Sequence, residues 1–319
     1  MAKNSYTHPL TTAQAETLRG ILQDRGWKFE EKEYTIFAAR KDKVTVAVYQ
    51  KGPKILVQGT GTEQFVEFIL EPEVIGVAEL GYEEVHHPEM YEPHIGVDES
   101  GKGDFYGPLV IAGVYVNADS ARQLKQAGVQ DSKAISSDKR IRDLSEIIRQ
   151  TPGAIYEVVS IGPDRYNEVY QKAGNLNRLL AWGHARVIEN LLERQPDCPR
   201  ALSDQFAHES VLQKALLTKG KAIKLDQRTK GESDIAVAAA SILAREKFIN
   251  WLEEAGKRLG VELPRGASNQ LITDVGLQLI QQRGQEILPK VGKMHFRNSY
   301  RILGLPEPEK KEWKSKPKF

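Results

Sequence analysis

IGVDESGKGDFYGP, residues 95–108, closes a short apolar strand with two adjacent acids and then folds back through Gly101-Lys102-Gly103. Asp98 and Glu99 repel each other as neighbours. Asp and Gly are ordinary turn residues, so a β-hairpin by itself accounts for the pattern. A divalent cation between the carboxylates accounts for it as well, because magnesium is held by a few carboxylates and its own waters. The rest of the chain has to decide.

Side chains of successive strand residues face opposite sides. Asp98 and Glu99 therefore reach one point only if the strand ends at the turn starting at Ser100 and lets Glu99 swing. Asp204 closes RALSD, a second short apolar run. If the two strands are parallel neighbours, Asp98 and Asp204 converge at one sheet edge, where open α/β sheets bind ligands. A further acid lies in KGESDIAVAAAS, just before an Ala-rich helix. It is Glu232 or Asp234, and Asp234 also suits a helix N-cap. Four carboxylates on three elements can hold two magnesium ions about 3.5–4 Å apart, the arrangement used for in-line phosphoryl chemistry. No Cys/His cluster with zinc spacing competes.

Outward from this stretch the chain divides. Residues 1–80 read as a small α/β domain: a helix in TTAQAETLRGILQDRG, β-rich runs from WKFEEKE to PKILVQGTG, and a closing helix in TEQFVEFILEPEVIG with Phe65, Phe68 and Ile69 as core. Residues 81–93, acidic and with two prolines, read as a linker in which His86 and His87 are solvated. The second domain, residues 94–303, runs β-β-β-α-β-α, which predicts a mixed sheet flanked by helices. Its helix around NLNRLLAWGHARVIENLLERQ places Trp182 and the leucines beside it in the core. A basic tail, residues 304–319, ends in KKEWKSKPKF.

With 319 residues, 40% hydrophobic and 28% charged, the chain is long enough for two domains with sizeable cores. One cysteine, Cys198, leaves no internal disulfide framework and suits a reducing compartment. With no long apolar run and no apolar leader in MAKNSYTHPLTTAQAE, a cytoplasmic location without membrane partners is expected. The net charge of +2 hides an uneven distribution. Residues 1–60 carry ten Lys/Arg against six acids, and residues 61–90 carry eight acids and no Lys/Arg. The basic N-terminal surface suits phosphate backbones. Tyr34, Phe37 and Tyr49 on its strands are candidates for stacking on bases.

Taken together, IGVDESGKGDFYGP, DSK at 131–133, LSDQFA, KGESDIAVAAASILAR, LPRGAS and KMHFRNS resemble ribonuclease HIII, in order from about residue 94 to 300. The N-terminal unit resembles that family's TATA-box-binding-protein-like substrate-binding domain. The resemblance implies a ribonuclease H-like fold and hydrolysis of RNA paired with DNA, dependent on Mg2+ or Mn2+, two ions per site, leaving 5′-phosphate and 3′-hydroxyl ends. It puts the acidic quartet on Asp98, Glu99, Asp204 and Glu232, as catalytic and metal-holding residues, with Asp98 bridging both ions. It gives Gly101, Lys102 and Gly103 the grip on the RNA strand, with Lys102 where the family often has Thr. The partner is an RNA–DNA hybrid and the protein is expected to be a monomer.

Other readings compete less well. Actin-like ATPases and sugar kinases also open on an Asp and a Gly-rich hairpin, but a second phosphate loop and an adenosine motif are missing here. A non-catalytic nucleic-acid-binding module would not need four converging acids, which repel phosphate without metal. His295 in KMHFRNS reads as a packed histidine.

Overall fold

The computed structural model describes residues 5–76, 88–204, 209–217, 219–228 and 233–307. Glu232, His86, His87 and the basic tail from 308 lie outside them. Two compact units result, Met1–Glu89 and Met90–Phe319. Met90 and Tyr91, which the sequence assigns to the linker, are buried in the core of the second unit.

In the first unit, β1 (Ser5–Pro9), β2 (Lys28–Glu30), β3 (Thr35–Lys41), β4 (Val44–Tyr49) and β5 (Lys54–Gln58) form an antiparallel sheet in the order β1-β5-β4-β3-β2. Helix α1 (Thr12–Asp24) starts on a capping box between Thr11 and Gln14 and buries Ala15, Leu18 and Leu22. The closing helix differs from expectation. After α2 (Thr62–Phe65) the backbone widens into a π-helix over Val66–Ile75, with Pro72 inside. Wider winding shifts the phase of the buried stripe. Phe65, Val66, Leu70 and Val74 enter the core, while Phe68 faces solvent at 63% exposure.

Strands β6 (His94–Ser100), β7 (Leu109–Val116), β8 (Ile155–Ile161), β9 (Arg200–Asp204) and β10 (Lys224–Arg228) build the second sheet, ordered β10-β9-β6-β7-β8. It is mixed: β7 is antiparallel to β6 and β8, whereas β9 is parallel to β6 and β10. Helices α3 (Ala118–Gln126), α4 (Asp138–Gln150), α5 (Pro163–Ala173), α6 (Leu176–Arg194), α7 (Glu209–Ala215), α8 (Ile235–Leu259), α9 (Gln270–Arg283) and α10 (Arg297–Leu303) complete the unit. Val110, Ala112, Val114 and Val116 pack with the alanines of α8 on one face. Ile95, Val97, Leu109 and Ile111 pack with α6 on the other.

Small residues allow the close approach. A Cβ on Gly96 would lie 2.2 Å from the Val237 nitrogen at the start of α8, and one on Gly183 of α6 would lie 2.7 Å from Ile111. Trp182 is not in the core. It is 47% exposed, because the buried stripe of α6 runs through Leu180, Ala181, His184, Ala185, Ile188 and Leu191 and leaves residue 182 on the outer face. No helix among the described residues is long and apolar enough to cross a membrane.

Candidate active site

Strands β6 and β9 run parallel, with Ile95 opposite Ala201, Gly96 opposite Leu202 and Val97 opposite Ser203. One residue further along each strand come Asp98 and Asp204. The burial of Ile95 and Val97 against α6 puts Gly96 and Asp98 on the α8 face. The strand does not end where expected. Pairing with β7 continues through Glu99–Ile111 and Ser100–Val110, so Glu99 keeps its regular place on the opposite face from Asp98. Edge-to-edge hydrogen bonding holds it there, and no swing occurs. Both acids still border one cavity of 440 Å³ at the strand ends, with Asp204, Gly101, Lys102, Gly103, Lys133 and Arg245.

The two neighbouring carboxyls differ in environment. Asp98 is 4% exposed, and its Oδ1 accepts the Glu99 N–H at 2.8 Å. Burial pushes its pKa well above the usual carboxylate range; the charges of Glu99 and Asp204 push the same way, against the Glu99 N–H and the Lys133 charge. Burial also pushes Glu99 up, but the hydrogen bond and charge of His184, and then Lys102, outweigh it and hold the carboxyl down at about 2. Glu99 Oε2 lies 3.1 Å from His184 Nε2, and Lys102 Nζ donates to Oε1 at 3.1 Å.

Asp234 is not among the residues that line this cavity. It is the N-cap of α8, its Oδ1 accepting from the N–H groups of Ala236 at 2.9 Å and Val237 at 3.2 Å, with His94 Nε2 also at 2.9 Å. Among the described residues no three of His, Cys, Asp and Glu stand close enough together to hold a metal by themselves. The donor chemistry around Asp98 nevertheless suits a hard divalent cation. It consists of carboxylate oxygens, without thiols, and Asp98 is buried among like charges that a cation would relieve.

The glycine loop is fixed at one end and open at the other. Gly101 has φ +83°, and a Cβ there would lie 2.1 Å from the Pro108 carbonyl oxygen, whereas Gly103 has open space around it. Asp104 Oδ1 accepts the Gly266 N–H at 2.6 Å, and Phe105 N–H donates to the Gly266 carbonyl at 2.9 Å. LPRGAS is thus a support for the loop. So is KMHFRNS: the fully buried Lys293 donates through Nζ to the carbonyls of Asp104 at 2.8 Å and Tyr106 at 3.4 Å. DSK is tied to α8, where Ser132 N–H donates to Ser241 Oγ at 3.0 Å and Arg245 donates to the Ser132 carbonyl. His295 packs among Tyr166, Tyr170 and Phe296.

Some residues carry more or less than the sequence suggests. His184, unremarkable in an apolar helical stripe, touches Glu99 directly. Lys133 and Arg245 reach the cavity from DSK and ASILAR, motifs already in the pattern but without an assigned role. Of the aromatic candidates in the first unit, Phe37 is buried and so closed to stacking on bases, while Tyr34 is 78% exposed and Tyr49 lies under Lys32 Nζ at 5.8 Å.

Comparison with known proteins identifies the family. The family model described as Ribonuclease HII matches residues 95–299. Ribonuclease HIII of Protochlamydia amoebophila (strain UWE25) is 44% identical over 290 residues, which is 91% of this chain and 94% of the relative. The enzyme of that name from Chlamydia abortus is 42% identical over 300 residues, 92% of this chain and 97% of the relative. The crystal structure of Bst-RNase HIII in complex with Mn2+ superposes with a TM-score of 0.64 at 25% identity, covering 94% of this chain and 98% of that one. Its mixed sheet with helices on both faces and its smaller N-terminal sheet unit are those found here. With matching spanning more than nine-tenths of its length, the chain belongs to the ribonuclease HIII family, the endoribonucleases that cut the RNA strand of RNA–DNA hybrids.

Proposed function

We propose that the cavity at the ends of β6 and β9 is where this ribonuclease H hydrolyses RNA. In this reading Asp98, Glu99, Asp204 and Glu232 hold two divalent ions, Mg2+ or Mn2+. The observation that carries it is the parallel register of Val97 with Ser203, which brings Asp98 and Asp204 side by side at one cavity. A family relative crystallised with Mn2+ supports the same class of ion. Asp234 is the N-cap of α8 and does not line the cavity, which favours Glu232 as the fourth ligand.

When bound, the ions would activate the attacking water and stabilise the leaving oxygen, giving 5′-phosphate and 3′-hydroxyl ends. The chain's own residues do the rest. Asp98, buried beside the charges of Glu99 and Asp204, would be the acid to share between the ions, whose charge would relieve that repulsion. Lys133 and Arg245 set positive charge against the phosphates of the hybrid. At Gly103 the backbone has open space around it, which suits close contact with the 2′-hydroxyl, the group that separates RNA from DNA. Lys102, whose side chain is 40% exposed, could set its charge against a phosphate instead of Glu99, and Oε1 would then be available to hold a divalent ion. The direct test compares Glu99→Gln and Asp204→Asn with the wild type on a labelled hybrid in Mg2+ and in Mn2+, with hybrid binding measured in EDTA. Loss of cleavage with retained binding is expected, and full cleavage by both variants would refute the assignment.

A further inference from the structure

His184 is completely buried on α6, and it joins the two strands that carry the acids. Its Nε2 lies 3.1 Å from Glu99 Oε2, and its Nδ1 lies 2.9 Å from Ser203 Oγ. Ser203 is also completely buried, and its hydroxyl donates onward to the Asp204 carbonyl at 3.0 Å. The chain of contacts therefore runs from the side chain of Glu99 on β6, through one ring, to the backbone of Asp204 on β9. Both ring nitrogens are therefore engaged, Nε2 with the Glu99 carboxylate and Nδ1 with the Ser203 hydroxyl.

We propose that His184 is a positioning residue for the metal-holding acids. It fixes one oxygen of Glu99 and sets the distance between β6 and β9 where Asp98 and Asp204 leave the sheet. The two oxygens of Glu99 have different fates. Oε2 is held by a buried ring with no freedom to leave. Among the described residues Oε1 is held by Lys102, whose side chain is 40% exposed and can withdraw. His184 thus aims the oxygen that Lys102 gives up. Packing alone does not explain the ring. An apolar side chain would fill the same stripe beside Ala185 and Ile188 without setting two ring nitrogens against polar groups in a buried layer. This inference rests on the reading of Glu99 and Asp204 as metal-holding residues, and its test separates the two claims.

The test uses the full chain in three variants. His184→Leu removes both polar contacts, His184→Gln keeps a donor toward Glu99, and Glu99→Gln serves as the control. Three quantities are measured: thermal stability, Mn2+ affinity without substrate by electron paramagnetic resonance, and kcat and KM on a labelled hybrid. Outer partners of metal-holding groups typically matter about 10–100-fold in affinity or activity. For His184→Leu we expect a loss of that size in Mn2+ affinity and in kcat, with KM for the hybrid little changed. His184→Gln should recover a large part of both. Wild-type Mn2+ affinity and kcat in His184→Leu would overturn the proposal. So would equal losses in the Leu and Gln variants that track their thermal stability, because that pattern marks a purely structural role. If Glu99→Gln leaves Mn2+ affinity and turnover intact, the ligand reading fails and the positioning role falls with it. If Glu99→Gln is damaging and His184→Leu silent, only the positioning role fails.

Discussion

His94 Nε2 lies 2.9 Å from Asp234 Oδ1, and the same oxygen caps α8 through Ala236 and Val237. The pair is buried, at the start of the helix that packs against Gly96. Asp234 is the N-cap of α8 and does not line the cavity. Asp234→Asn, which keeps an N-capping oxygen, should leave turnover on a hybrid within a few-fold of wild type. Asp234→Ala should lower stability by about 1–2 kcal/mol through loss of the cap. Glu232→Gln should abolish most turnover with little change in melting temperature. Steady-state rates and thermal melts of the three variants check this, and a silent Glu232→Gln beside an inactive Asp234→Asn would reverse the assignment.

The glycines of the loop should separate into two kinds. Gly101→Ala puts a Cβ at positive φ and 2.1 Å from the Pro108 carbonyl oxygen, so the loop must rearrange, with loss of both stability and hybrid affinity. Gly103→Ala meets nothing and should melt like wild type. A loss of hybrid affinity in Gly103→Ala at unchanged melting temperature would then report the approach of substrate. Melting curves and hybrid dissociation constants, measured without divalent metal, distinguish the two.

Burial lowers the pKa of Lys293 to about 7, with the nearby Asp104 carboxylate opposing the shift. In the unfolded chain the amine keeps an ordinary value near 10.5. Between those values the unfolded state binds the extra proton, so raising pH favours the folded state. Relative to Lys293→Met, the wild type should therefore gain roughly 2 kcal/mol of stability between about pH 7 and 9. Denaturant titrations of both proteins at the two pH values measure the difference. An unchanged gap between them would mean that Lys293 stays charged when buried.

How much of this was legible in the sequence depends on the residue. Asp98 and Asp204 could be found because a short apolar strand ending in an acid is readable by its period of two, and parallel neighbours bring such ends together. The phase of the helix after Phe65 could not, since π winding has no clear local signature and moved Phe68 out of the core. Strand β1 was missed because SYTHP alternates weakly and gains its order from pairing with β5. Trp182 misled because its bulk suggests burial, whereas the neighbouring stripe decides the buried face. His184 was invisible as a site residue, because its partners lie 85 and 19 positions away in the chain.

The segment ELPRGASN, residues 262–269, contains no tyrosine, where the resemblance to type-two enzymes would imply one that senses the RNA–DNA junction. Here Gly266 instead braces the loop through Asp104 and Phe105. Continuous RNA–DNA hybrids should be cut at several positions, and a single ribonucleotide embedded in duplex DNA should be cut poorly. Rates on both duplexes in Mg2+ and in Mn2+ provide the comparison. Equal or faster cleavage at the lone ribonucleotide in Mg2+ would contradict the specificity while leaving the hydrolase assignment intact.

The central claim is that Asp98 works as a shared metal-holding carboxylate at the meeting point of β6 and β9. Asp98→Asn keeps the shape and the hydrogen bond from the Glu99 N–H but removes the charge. The decisive measurement is single-turnover cleavage of a labelled RNA–DNA hybrid by Asp98→Asn across a Mg2+ titration, with hybrid binding followed in parallel. The account predicts binding near wild type and cleavage lowered by at least about 100-fold at every Mg2+ concentration, the scale on which metal-site groups act. Cleavage above about a tenth of the wild-type rate at saturating Mg2+ would contradict it.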